Sequence, residues 1–217
     1  MAADTSFATL SRRLPIFPLA GALLLPGGHL PLQMFEPRYV QMTRDALAGE
    51  RLIGMIQPRD STDKPTLYQI GCVGRIDAAE DTSDNRILIA LTGVCRFQIV
   101  EELPTTTLYR QVIASFGRFR ADLEPRARPE IDRARLLEGL QLYLNLAAVP
   151  PEWQWLSTAP TDLLVNSLAM LCPFAPNEKQ ALLEASDIAE RAKLMMSLID
   201  MTLLERQAGG GRPTLIN

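Results

Sequence analysis

Leu14-Pro15-Ile16-Phe17-Pro18-Leu19-Ala20-Gly21-Ala22-Leu23-Leu24-Leu25-Pro26-Gly27-Gly28-His29-Leu30-Pro31-Leu32-Gln33-Met34-Phe35-Glu36-Pro37-Arg38-Tyr39 is the stretch on which the fold turns. Short apolar runs alternate here with proline and glycine, which predicts two short strands joined by turns up to Gln33. Glu36-Pro37-Arg38-Tyr39 then reads as a helix start, because proline suits the first helical position and an acid complements the helix dipole. The helix is expected to stop at Gly49, with Tyr39, Met42, Thr43, Ala46 and Leu47 facing inward at helical spacing. The same punctuation argues against export. Ser11-Arg12-Arg13 before an uncharged run resembles a twin-arginine or secretory signal, but four prolines and three glycines break the helix that such a signal needs.

Outward from this segment, further strands are predicted at Leu52 to Gln57, Leu67 to Ala78, Arg86 to Val100 and Arg110 to Phe116, between Asp, Ser, Asn and Pro clusters. In the longest, Ile87, Ile89, Leu91, Cys95, Phe97 and Ile99 share one parity and Thr92, Arg96 and Gln98 the other, so one face is expected to be buried. Gly93 interrupts the buried parity, as at a bulge or a bend where a sheet curls toward a barrel. Residues 118–130, where Arg118, Arg120, Arg126 and Arg128 mingle with acids and prolines, read as a solvated connection rather than an anion site.

From Ile131 the period becomes helical. Leu136, Leu137, Leu140 and Leu144 form a stripe ending near Pro150-Pro151, and a second helix is predicted from Thr161 to Leu171. A third, short one opens at Asn177, whose side chain can cap it while Gln180 reaches back. A fourth opens at Asp187, with Glu190 as its capping-box partner, and carries Leu194, Leu198, Met201 and Leu204. The expected plan is a flexible segment at 1–13, a β domain at 14–117, the connection at 118–130, a helical bundle at 131–207 and a flexible tail at 208–217.

With 217 residues, 47% hydrophobic and 22% charged, the chain can bury a core without disulfides or metals. Cys72, Cys95 and Cys172 are odd in number and widely spaced, and are expected to be reduced and buried in a cytoplasmic protein. The net charge is -3, and up to Phe116 there are 11 basic and 12 acidic residues, so no basic footprint for nucleic acid exists in either half. GxxxxGK[ST], GxSxG and GxGxxG are absent, and His29 is the only histidine, so neither phosphate binding nor a His-based nucleophile is encoded in recognisable form. No catalytic, cofactor-binding or metal residue is assigned, and no cofactor is expected. Trp153 and Trp155, between the first two bundle helices, could serve a partner surface but suit better as plugs of the bundle end or of the seam between the domains, and Met195, Met196 and Met201 could line an adaptable groove but suit core filling better.

Several motifs carry a family resemblance: Leu14-Pro15-Ile16-Phe17-Pro18-Leu19, Leu25-Pro26-Gly27, Leu30-Pro31-Leu32, Phe35-Glu36-Pro37-Arg38-Tyr39, Gly71-Cys72-Val73-Gly74-Arg75-Ile76 and Gly93-Val94-Cys95-Arg96-Phe97. Together with Glu178-Lys179-Gln180-Ala181-Leu182-Leu183-Glu184, they make the chain similar to the N-terminal domain of Lon proteases over about residues 12 to 206. The resemblance implies an α+β fold: a PUA-like, mostly antiparallel pseudo-β-barrel with an inserted helix, followed by a C-terminal helical bundle. In Lon this region helps to recruit protein substrates and supports assembly, and a long helix, an ATPase and a Ser-Lys peptidase follow it. The expectation here is a stand-alone, non-catalytic module that binds proteins or peptides, an adaptor in protein quality control. RNA binding by a PUA-like barrel, and a small-molecule sensor or cryptic hydrolase, are the alternatives. No partner-binding residue is assigned by the motifs, which are expected to set turns, with Phe35 anchoring the helix entry and Arg38 or Arg96 pairing with nearby acids such as Glu36. No membrane partner is expected, and the oligomeric state is open.

Overall fold

The structure, a computed structural model, describes residues 10–124, 131–146 and 158–209, which fall into two compact units. The first contains β1 (Arg13–Pro18), β2 (His29–Met34), helix α1 (Pro37–Ala48), β3 (Leu52–Ile56), β4 (Ile70–Asp81), β5 (Ile87–Leu103) and β6 (Gln111–Ser115). Each corresponds to an element expected from the sequence, with its ends moved by a few residues. The sheet order is β2-β5-β4-β3-β1-β6, and β5 also pairs with β6, so five strands close on themselves while β2 flanks β5. β1 and β3 are parallel because β2 and α1 intervene as a crossover; the other pairings are antiparallel.

Strand β5 pairs through Ile87–Thr92 with β2 and through Gln98–Leu103 with β6, while β4 lies along most of its length. Its register jumps from Val73↔Cys95 to Gly74↔Gly93, leaving Val94 as an extra residue where the sequence predicted a bulge or bend. A Cβ on Gly93 would lie 2.1 Å from the carbonyl oxygen of Leu25. That space lets the preceding turn dock on the strand: Gly27 N donates to Gly93 O at 2.8 Å, and Gly93 N to Gly28 O at 2.9 Å. Gly71 has a similar reason, since its Cβ would come within 2.6 Å of the buried Phe97 ring.

The predicted open face of β5 needs correcting at Arg96. From Cys95 to Phe97 both parities are buried, because a 3-10 helix, Gly117–Leu123, packs on this part of the strand. Arg96 is 3% exposed. Its Nε and Nη2 bond the two carboxylate oxygens of Asp122 at 2.9 and 2.8 Å, and its guanidinium lies over the Phe119 ring at 4.5 Å. The connection read as solvated thus begins with structure that covers the sheet: Phe119 is buried, while Arg120 faces Glu124 in an exposed pair. Arg126 and Arg128 lie outside the described residues.

A second correction concerns the bundle. The helical unit contains α2 (Arg133–Leu146), α3 (Thr161–Leu171) and α5 (Ile188–Gly209), but the short helix between them, α4 (Pro176–Glu184), belongs to the β unit. Its reason is polar as well as apolar. Gln180 does not cap the helix. Its Nε2 donates to Ile70 O of β4 at 3.2 Å, and the capping role falls to Glu178, whose carboxylate accepts Ala175 N at 2.7 Å. Arg96 Nη1 also donates to Leu183 O at 3.1 Å.

In the helical unit, Leu136, Leu140, Leu164, Val165, Leu168 and Met195 are among the buried residues. Asp187 caps α5 as expected, accepting Glu190 N at 2.9 Å. The inward stripe of α5 is Ala192, Met195 and Ile199, whereas Met201 and Leu204 are exposed. Core filling, the expectation for Met195 and Met201 alike, thus holds for Met195 and not for Met201. Trp153 and Trp155 lie outside the described residues.

The buried Arg96–Asp122 pair gives the first test. Asp122→Ala leaves a desolvated guanidinium without its counter-ion, so chemical denaturation should show a loss of about 3–5 kcal/mol. A loss below about 1 kcal/mol, the range of exposed pairs, would mean that the pair is open to water.

Candidate peptide-binding surface

Met34 is the last residue of β2 paired with β5, and Pro37 opens α1, so Phe35 and Glu36 span the junction. Phe35 is 63% exposed and does not anchor the helix entry as expected from the motif. Tyr39 anchors it instead: the ring is buried, its centroid lies 4.3 Å from that of Phe17, and Arg38 stacks over it at 4.8 Å. Burial raises the Tyr39 phenol above its ordinary pKa, with Arg38 opposing. Glu36 leaves the helix amides uncapped by its side chain and takes Arg38 Nε and Nη2 at 2.9 and 2.5 Å, the pairing anticipated from sequence.

Two depressions flank this junction. One, of about 300 Å³, is lined by Phe35, Pro37, Val40, Gln41, Arg44 and Asn85, among others. The larger, of about 450 Å³, has Pro18, Tyr39, Pro58, Arg59, Arg110 and Pro176 among its walls. The charges around the larger cleft are mostly committed locally. Glu102 holds Arg110 through two oxygens at 2.7 and 2.6 Å, and Arg110 also donates to Pro65 O at 2.8 Å. Asp60 accepts from the hydroxyls and backbone amides of Thr62 and Thr66, which hold its carboxyl well below the usual range and fix the loop that follows β3. Arg59 lies over the Tyr68 ring at 4.8 Å and makes no ion pair among the described residues.

The β5–β6 loop is tied to the outer side of α1. Leu108 N donates to Gln41 Oε1 at 3.0 Å, and Tyr109 Oη donates to Asp45 Oδ2 at 2.9 Å, leaving the Leu108 side chain 65% exposed. Phe35 and Leu108 are thus two large exposed apolar side chains associated with one short helix. Nothing in the periodicity of the sequence marks either; the only signal was an aromatic residue at the end of a strand, directly before a Glu-Pro helix start.

The other sequence candidates lie elsewhere. His29 begins β2, and its Nδ1 lies 2.9 Å from Thr92 Oγ1, which itself donates to Asp77. Since the hydroxyl has one proton and Asp77 receives it, His29 Nδ1 must be the donor in the second bond. This is an exposed polar chain across the sheet that holds the imidazole without presenting a nucleophile. Met195 is in the helical core, while Met196 lines a separate depression of about 160 Å³ between α2 and α5. Cys72, Cys95 and Cys172 are buried and form no disulfide with one another, and burial pushes the Cys95 thiol up to about 12.

The sequence model of the ATP-dependent protease La (LON) substrate-binding domain matches residues 13–201. The chain belongs to that family. It is 26% identical over 194 residues to Lon protease of Dictyoglomus thermophilum, covering 82% of this chain and 23% of that protein. Against Lon protease 2 of Myxococcus xanthus the identity is 27% over 193 residues, with 86% and 23% covered. The chain therefore spans about a quarter of the length of these relatives. A Lon N-terminal domain protein from Xanthomonas campestris has the same fold at a TM-score of 0.62 and 22% identity, over 85% of this chain and 97% of that one. The N-terminal domain of Mycobacterium avium complex Lon protease gives 0.60 and 16%, over 87% and 98%. Of the motifs that suggested the family, the glycine-containing ones build the sheet, whereas Phe35–Tyr39 reaches the surface.

Tyr109 provides a test of how α1 is held at this surface. Burial, then the hydrogen bond and charge of Asp45, raise its phenol from the ordinary value of 10.0 to about 12. The neutral phenol is thus the form favoured by folding. Its contribution to stability should be complete below pH 10 and disappear as pH rises toward 12. Absorbance titration of tyrosinate should contain a step near 12 that Tyr109→Phe lacks. A wild-type titration complete by pH 11 would contradict the bond to Asp45.

Proposed function

We propose that this chain is a non-catalytic protein- or peptide-binding module, and that the surface around Phe35 receives an extended, partly unfolded polypeptide. The observation that carries the reading is the exposure of Phe35, which lines the smaller depression, next to Glu36, which lines the larger. A folded chain leaves a phenylalanine ring largely in water at a cost that burial against a partner recovers, and aromatic anchors of this kind dominate binding energies. The closed sheet with α1 inserted is read as a PUA-like barrel, and α2, α3 and α5 as the remnant of the Lon-type helical half. By kinship with a substrate-binding domain, the partner class is a protein awaiting quality control, in the cytoplasm. No helix among the described residues is long and apolar enough to cross a membrane.

Phe35→Ala is solvent-exposed and should leave the thermal midpoint nearly unchanged. Binding of a fluorescein-labelled, permanently unfolded polypeptide, followed by anisotropy, should weaken by about tenfold or more, the effect of removing an aromatic hot spot. Equal affinities for wild type and Phe35→Ala would move the binding surface elsewhere, and no binding by either would remove the function.

A further inference from the structure

The larger cleft has an unusual third wall. Ala20 and Pro58 come from the β unit's own strand ends, but Pro176 comes from the first turn of α4, more than a hundred positions along the chain. One buried side chain joins these three walls. Gln57, 2% exposed, stands next to Pro58; its Oε1 accepts Gly21 N at 3.3 Å, beside Ala20. Its Nε2 donates to Pro176 O at 3.1 Å and to Gln180 Oε1 at 3.2 Å. Lys179 Nζ closes the ring by donating to Gly21 O at 2.9 Å. The acceptor and donors of a single amide are thus spent on the three segments that bound the cleft.

The two ends of α4 are held differently. Its C-terminal turn has buried Leu182 and Leu183 and the bond from Arg96 to Leu183 O. Its N-terminal turn, the part that meets the cleft, follows the buried Phe174, but its own bonds to the cleft walls run through the side chains of Gln57, Lys179 and Gln180. Such a turn opens locally at lower cost than one buried by apolar side chains. Both flanks of α4 in the chain, Pro173 and Ala185, belong to the helical unit.

We infer that Gln57 makes the cleft and the first turn of α4 one cooperative element, so that a polypeptide held in the cleft seats α4 and is thereby sensed at the points where the chain enters and leaves the helical unit. This rests on the cleft being part of the binding surface proposed above. Gln57 is a positioning residue in this scheme: it lies behind the walls and shapes them without being one of the residues that line the cleft. The coupling is thermodynamic, because whatever favours the seated turn favours the occupied cleft and the reverse.

Hydrogen exchange of the full chain, with and without the labelled unfolded polypeptide, tests it. Saturation of the wild type should slow exchange of the amides in Pro176–Glu184 by about fivefold or more, the lower range of allosteric coupling. Gln57→Leu keeps the volume and removes the three bonds; it should speed exchange in α4 and in the loop from Pro58 to Thr66 together, weaken binding, and abolish the slowing, while β5 exchange stays as in the wild type. Should Gln57→Leu fail to fold, Lys179→Met removes the link to Gly21 and leaves the Gln57 amide in place, and should give the same pattern at smaller amplitude. Polypeptide bound with α4 exchange unchanged, or α4 loosened with affinity unchanged, overturns the coupling and leaves the binding function standing. If the wild type binds no polypeptide, the binding function fails alone, and the coupling is still decided by the variant: joint loosening of α4 and the Pro58–Thr66 loop supports it, and loosening of one without the other refutes it.

Discussion

Strand β5 is the constraint on which the β unit depends, because one extended segment of 17 residues must satisfy β2, β4 and β6. A flat strand cannot pair with β2 at one end and with β6 at the other while β4 runs alongside, so the strand must bend. The extra residue at Val94 supplies the bend, and Gly93 beside it has no Cβ to keep the Leu25 carbonyl away. The Leu25–Gly28 turn can then bond to the bend, and this docking fixes where β2 begins. Because β2 is in register with β5 down to Met34↔Ile87, and Pro37 already begins a helix, Phe35 has no residues of slack with which to turn inward. Its exposure is therefore a consequence of how the sheet closes.

The electrostatics around the larger cleft follow a similar logic of local commitment. Arg38, Arg110 and Asp60 each have partners within their own loops or neighbouring strands, and such committed charges interact weakly with an incoming ligand. What remains to a partner is apolar and aromatic area, proline walls and two charges of opposite sign, the guanidinium of Arg59 and the carboxylate of Asp63. A surface of this kind favours binding that depends little on salt, because few counterions are displaced when it is covered. It is the opposite of the salt-steep footprint that phosphate recognition requires.

Most of the fold was legible in the sequence because proline, glycine and helix-capping residues mark boundaries directly. Leu14 to Tyr39 gave two strands and a helix start, Gly93 gave the bend, and Asp187 with Glu190 gave the start of α5. The errors have one cause. Periodicity reports which face of an element is apolar, not what lies against the other face. Arg96 fell on the polar parity opposite the buried face, yet the 3-10 helix folds over it Asp122, an acid of the kind with which it was expected to pair. Met201 suited core filling by its helical spacing, while the helix buries Ala192, Met195 and Ile199 instead. The candidate surface was less legible still, since Phe35 reads equally well as an anchor until the register of β2 is known.

Gln180 shows why the boundary between the two halves of the chain could not be drawn from sequence. A glutamine three residues after an asparagine is consistent with capping its own helix, and the same side chain can instead satisfy a carbonyl on another element. The two readings have the same local spacing, so the choice is made by what the helix is docked to. Here Ile70 O would be a buried acceptor in need of a donor, and Gln180 provides one while its own oxygen takes a proton from Gln57. The chain consequently leaves the β unit, builds helices, and returns with α4 before building the last one. A protein assembled in this order has no single linker at which its halves part: removing everything after the sheet would strip Arg96 of the Leu183 carbonyl and Gln57 of both its acceptors on α4. The helical part of the sequence thus completes the hydrogen bonding of the sheet, and with it one wall of the cleft.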